Sequence, residues 1–391
     1  MAGSRGMIIK AGIAGYCWLL VTGSAAGFEF GHLRPVQVGP VGHGYDLEMA
    51  DGETEFSWGQ ERKSGWERSG NSMVKGVTDR RSIRFGNGMR IGPDFLFTFS
   101  LTSENTRFSN ESSGLKEVSM NHNGHRLELA AGPVWYGRGL ILGSKVRIHM
   151  HSGETRDFTR DSQEVAFELD GATWPTIEGS AGISGEDFIL LATISAYNGA
   201  RASATKTYDR SIRYDYQTTY RTPGSFHLDF KKRLGERIQI GWTWAWIASG
   251  QASEDVAEYS LDHTTGTYGS YGMERSGVRR HKDHSEFTFG GSYAPAPDML
   301  FLGSLHYVEP FYAEDEYASI LYENLGGTSL YIGILQKLGA AGIYGSLGYR
   351  IPNDHSYTYT DTWDHNWMDR RDEVEVEQTY WDILIGGSIT I

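Results

Sequence analysis

The sequence predicts an all-β protein, an antiparallel transmembrane β-barrel of about 14 strands, with the neighbouring even counts of about 12 and 16 also compatible. Three observations point there. Strand-like segments with one apolar face recur in pairs about tight turns, the connections sort into short ones and long polar ones, and the chain closes on an alternating strand, "QTYWDILIGGSITI". In that strand Trp381, Ile383, Ile385, Gly387, Ile389 and Ile391 share one face, and Asp382, Leu384, Gly386, Ser388 and Thr390 share the other, because strand side chains alternate with a period of two. No uninterrupted apolar run of about 18 residues occurs beyond the N-terminal region, so helical spans are excluded.

At the other end, Arg5 and Lys10 precede the apolar run 11–21, and Ser24 and Ala26 supply small residues before a cleavage point, the layout of a secretory signal peptide over 1–26. A short segment, 27–42, then leads to a barrel over 43–391. The single cysteine, Cys17, falls within the signal, so the mature protein is expected to lack disulfides, thiolate metal sites and cysteine nucleophiles. A formal net charge of −13 argues against nucleic acid as a partner. No nucleotide loop, haem motif or protease signature is present, and neither a cofactor nor a metal is expected.

The strands follow in order. The first is expected within 43–58, where Tyr45, Leu47 and Met49 share one face while Phe56 and Trp58 share the opposite one, so a bulge or break intervenes. Six hairpins come next. Ile83, Phe85, Met89 and Ile91 lead into a turn at Gly92-Pro93-Asp94, and Phe95, Phe97, Phe99 and Leu101 lead out. The second turns near Gly137 and Gly139, the third at 184–187, the fourth at 234–236, the fifth at 294–298 and the sixth at 337–342. Asp170-Gly171 is a turn signal that could split the strand at 164–183, Asn87 would face lipid, and Pro133 interrupts its strand. The closing strand occupies 378–391. Long polar stretches at 103–125, 152–163, 198–223, 249–284, 308–327 and 351–373 are expected to be loops.

This pattern resembles bacterial outer-membrane barrels over the whole mature chain, and the terminal strand resembles their C-terminal signal, with Ile391 where that family usually has phenylalanine. The resemblance implies short periplasmic turns, long extracellular loops and both termini in the periplasm. It also implies lipid and lipopolysaccharide as neighbours and insertion by the barrel-assembly machinery. Among such barrels the fatty-acid transporters are similar in size, but they carry an N-terminal plug with an Asn-Pro-Ala signature. That tripeptide is absent here and only a short segment precedes the first strand, which favours small solutes over hydrophobic ones.

The second face of each strand would line the interior. The candidate pore-lining residues are Arg84, Arg90, Arg126, Glu128, Lys145, Arg147, His149, Arg213, Asp215 and Asp229. Opposed charges in a water-filled lumen can select permeating ions, and the function expected is a passive outer-membrane channel or transport barrel for small solutes. Packed interior salt bridges that conduct nothing would use the same residues. Two other functions fit the fold: an outer-membrane lipid hydrolase with a site at the extracellular rim, or a non-conducting barrel for attachment or scaffolding. The stretch "HMHSGE" is the one enzyme-like feature, with His149 and His151 on one face and Glu154 nearby, but Ser152 falls on the other parity and no partner carboxylate can be placed. No catalytic residue is therefore assigned. Trp135-Tyr136, Trp242, Trp244, Trp246, Tyr307, Tyr349 and Trp381 read as interfacial belts. Charge changes on the inward face, such as glutamate at Arg147, are expected to be tolerated better than charges on the lipid face.

Overall fold

The computed structural model describes residues 53–390, apart from 70–71, 92–93, 114–117, 161–162, 170, 209–211, 249–253, 262–276, 280–282, 310–325 and 362–369. The signal peptide, the segment 27–42 and the expected start of the barrel at 43–52 lie outside these residues. All the elements are strands, and they form one antiparallel barrel of 14. The long single strands are β1 (Glu53–Ser69), β2 (Ser72–Arg90), β3 (Phe95–Ser113), β4 (Val118–Gly137) and β5 (Leu140–Arg160). Five strands are each built of two segments: β6 (Gln163–Leu169 and Ala172–Ser184), β7 (Phe188–Ser195 and Asn198–Tyr208), β8 (Ile212–Thr222 and Ser225–Leu234), β9 (Ile238–Ile247 and Glu254–Leu261) and β10 (Gly277–Arg279 and His284–Ala296). The last four are β11 (Met299–Val308), β12 (Gly327–Leu338), β13 (Ala341–Asp361) and β14 (Arg370–Thr390).

Each strand pairs with its sequence neighbours, and β14 pairs with β1 from Glu53↔Thr390 to Ser69↔Val374, which closes the barrel. Closure leaves no edge strand in the hydrocarbon, where unpaired backbone groups would be costly. The segments of β6 keep one register against β5 on both sides of Asp170-Gly171, Glu154↔Leu169 above and His151↔Ala172 below, so that turn signal interrupts a strand without adding one. All six expected hairpins are present. In the β4–β5 hairpin Gly137 pairs with Leu140 across Arg138 and Gly139, whose φ values of 53° and 78° suit a tight two-residue turn.

The period-two pattern sets the two faces. Along Ala172–Ser184, residues 172, 174, 176, 178 and 180 are buried and the residues between them are exposed. Phe95, Ile148, Ile177, Ile194, Phe289, Ile332, Leu347 and Ile385 are among the large apolar side chains left outward, as a lipid-facing band requires. Asn87 also lies on this face, and its Nδ2 donates to Thr54 Oγ1 on the adjacent strand at 2.9 Å, so the amide is satisfied beside the apolar band. Pro133 is accommodated where the β4–β5 ladder skips from Ala131↔Val146 to Val134↔Gly143. Gly132 is needed at that skip, because a Cβ there would come within 1.9 Å of the Ser144 carbonyl oxygen.

Among the described residues the first strand covers Glu53–Ser69, with Phe56 facing outward. Two expectations change. The stretches 103–125, 152–163, 198–223 and 351–373 are largely strand, because β3, β4, β5, β7, β8, β13 and β14 continue past the apolar band. A 21-residue strand such as Leu140–Arg160 is about twice the roughly 9–11 residues a tilted crossing needs. Above the lipid both faces are wet, so the ladder persists while the alternation that reveals it fades. Tyr136 departs from the belt, since Trp135 pairs across the outward face with Phe95 while Tyr136 packs inward.

Lipid contact should make the two faces respond differently. An arginine at Ile148, which points outward from β5, is expected to destabilise the barrel by about 2–4 kcal/mol. Urea titration of the protein folded in bilayers checks this, and an unchanged midpoint would show that position 148 is not in contact with lipid.

Candidate functional site

The interior is layered. At the end that carries the short turns, Leu96, Val134, Ile141, Ile189 and Leu191 form a buried apolar cluster against Tyr136. These residues come from β3, β4, β5 and β7 close to their turns, and an apolar interior patch was not anticipated, because sequence parity marks a face without saying what it meets.

Further along the same strands lies a belt of charge. Arg147 Nη1 donates to Glu128 Oε1 at 2.6 Å, and its Nε and Nη2 donate to Glu178 Oε2 at 3.2 and 3.1 Å. The Arg147 and Glu178 side chains are 4% and 2% exposed, so the pair is desolvated and the guanidinium needs both carboxylates. Arg126 Nη2 lies 3.5 Å from Glu128 Oε2 and 3.1 Å from His149 Nδ1. His149 Nε2 meets Thr176 Oγ1 at 2.9 Å. Lys145 is also buried, and on β8 Asp229 accepts a hydrogen bond from Thr243 Oγ1 at 2.6 Å. Arg84 and Arg90 lie on the interior parity of β2, half-buried. Arg126, Glu128, Arg147 and His149 are thus brought into one network, with Glu178 as a member that was not anticipated. Arg213 and Asp215 lie on β8, their side chains outside the described residues.

His149 therefore belongs to an interior ion network rather than to a solvated loop. Both of its ring nitrogens are engaged, and its contacts are an arginine, a glutamate, a threonine and Trp174, whose ring it stacks against at 5.4 Å. Among the described side chains, none of these partners is a serine that the imidazole could activate. His281 and the acidic side chains at Glu314, Asp315, Glu316 and Glu323 lie outside the described residues, whereas His284 contacts Glu286 at 3.5 Å.

The wall itself has an irregularity beside this belt. β6 and β7 pair at Val165↔Tyr208 to Leu169↔Ala204 and again at Glu178↔Ser195 to Ser184↔Ile189. Between those ladders, no ladder pair joins 172–176 to 197–203 among the described residues, although 172–176 is paired to β5 and 198–203 to β8 on the other side. Pro175 explains the gap. Its carbonyl oxygen points towards β7, accepting a hydrogen bond from Asn198 Nδ2, so the N–H that proline lacks is missing on that same side. Asn198 stitches the break, with Oδ1 accepting from Gly199 N at 2.8 Å, while Ala196 N donates to Ile177 O at 2.8 Å at the lower end. On the outer surface Ile177 and Ile194 are 63% and 62% exposed at this seam, with Tyr197 beside them. A proline inside an alternating strand, "ATWPTIEG", is the one sequence signal that could have located it.

With closed strands, an apolar outer band and a polar interior, the fold is that of a 14-strand transmembrane barrel. No protein-family model matches the chain, and no curated protein matches it. Solved structures do. A FadL homologue from Pseudomonas aeruginosa superposes with a TM-score of 0.67 at 8% identity, covering 86% of this chain and 90% of its own. The toluene transporter TodX from Pseudomonas putida gives 0.60 at 10% identity over 88% and 91% of the two chains. The toluene transporter TbuX from Ralstonia pickettii gives 0.55 at 13% identity, again over 88% and 91%. The likeness is one of fold.

Proposed function

We propose that this protein is a passive transport barrel of the Gram-negative outer membrane, carrying small apolar or amphipathic organic solutes from the lumen towards the membrane through the seam between β6 and β7. The seam carries the reading. A stretch of wall without a backbone ladder, flanked by exposed Ile177 and Ile194, can part by moving side chains alone, whereas parting a ladder would strand backbone groups in hydrocarbon. The neighbours that resemble it in fold include toluene transporters, which supports an organic solute in place of the general small solute expected from sequence. A non-enzymatic role agrees with the engagement of His149. Insertion by the barrel-assembly machinery and an outer leaflet of lipopolysaccharide around the band belong to the same proposal.

A second reading has its own observation. The belt of Arg126, Glu128, Arg147, His149 and Glu178 could line a lumen path for polar solutes, in which case ions would carry current.

The test is Pro175→Val in the full-length protein, in intact Gram-negative cells, whose lipopolysaccharide leaflet slows entry of the neutral fluorescent aromatic N-phenylnaphthylamine. Valine restores the missing donor and should let the ladder zip across the seam. Uptake is expected to fall by at least about fivefold, the scale of one added net hydrogen bond. Wild-type protein that conducts ions in planar bilayers but leaves the probe outside would replace this reading with the polar channel.

A further inference from the structure

Side chains hold the seam shut, and Trp174 occupies the centre of it. It sits one residue before Pro175, is 4% exposed, and packs with Ala172 against Ala200 of β7. Its Nε1–H donates to Thr222 Oγ1 at 2.8 Å, so the indole reaches past β7 to β8. On the β5 side its ring stacks on His149, with centroids 5.4 Å apart and planes 24° apart, and lies 6.3 Å from His151. One side chain thus bridges the four strands around the only stretch where, among the described residues, both β6 and β7 are described and unpaired with each other.

We infer that Trp174 is the plug of this seam and sets the size of solute that crosses it. The inference rests on the transport reading above and adds to it the residue that decides what passes. Three physical points carry it. The contacts that fix the indole include a neutral hydrogen bond to Thr222 and ring stacking on His149, side-chain contacts that a rotamer change can exchange without disturbing any ladder. Its apolar neighbours on β6 and β7, Ala172 and Ala200, are small, so the indole supplies most of the apolar bulk there. Its faces are apolar, so a displaced ring opens a way for a neutral solute before a hydrated ion, whose desolvation there would be costly.

The experiment measures uptake of two neutral aromatics, radiolabelled toluene and the wider N-phenylnaphthylamine, by intact Gram-negative cells carrying wild type, Trp174→Ala or Thr222→Val, above that of cells lacking the protein. Trp174→Ala is expected to speed the wider probe by at least about tenfold and toluene much less, as removal of a size barrier requires. Thr222→Val deletes only the acceptor of the indole N–H and leaves the packing, so it keeps the question answerable where the alanine variant does not fold. It should speed the wider probe by roughly fivefold through the lost hydrogen bond. Equal acceleration of both probes, or none in a folded variant, overturns the plug. Uptake that falls with Pro175→Val yet ignores both of these substitutions removes the plug and keeps the seam, whereas no uptake by any variant removes both.

Discussion

Replacing Arg147 with glutamate is expected to destabilise the barrel by about 3–5 kcal/mol or more, the cost of breaking a buried ion pair, and in the membrane to lower its yield of folded protein sharply. The sequence reading expected this change to be tolerated better than a charge on the lipid face. The contacts around Arg147 argue for a cost at least as large. Arg147 is held between Glu128 at 2.6 Å and Glu178 at 3.1 Å with its side chain 4% exposed, so glutamate would set three carboxylates together with little water to screen them. Arg147→Met should cost less than the reversal, because it removes the cation without adding a third negative charge. Urea midpoints of the two variants in bilayers decide the matter: equal midpoints to wild type would mean that the belt is hydrated and that the ion pairs hold nothing.

Deleting 381–391 is expected to abolish assembly. These residues carry the end of β14 that pairs with β1 at Glu53↔Thr390 to Arg62↔Trp381 and with β13 at Ala341↔Ile389 to Tyr349↔Trp381. Their removal leaves two strands with unpaired backbone along the apolar band, where each unsatisfied group costs several kcal/mol, roughly 2 or more, and no other strand can take their place in a closed barrel. The measurement is recovery of a heat-modifiable band in the outer-membrane fraction. Wild-type levels of the truncated chain would show that the last strand does not close the barrel.

Much of this architecture was legible because lipid imposes a pattern. Wherever a strand has one face in hydrocarbon, as at Phe95, Phe97 and Phe99 or at Trp242, Trp244 and Trp246, apolar residues must recur with a period of two, and tight turns must punctuate them. That is why the six hairpins, the even count and the inward parity of Lys145, Arg147, His149 and Asp229 could be read directly. The same pattern is blind above the membrane. At 152–163 and 198–223 both faces are polar, and stretches that are largely strand looked like loops.

The sequence by itself determined the class of fold, the turns, and which residue of each strand faces lipid, because these follow from local alternation along one strand. Only the tertiary structure decided what the inward residues meet. Glu178 joins Arg147, Tyr136 turns into an apolar cluster, and Pro175 withholds a donor from β7 rather than from β5, because each of these depends on the register between strands and on which neighbour a backbone group points to. Register is a relation between distant segments, set when the barrel closes, and no single strand carries it.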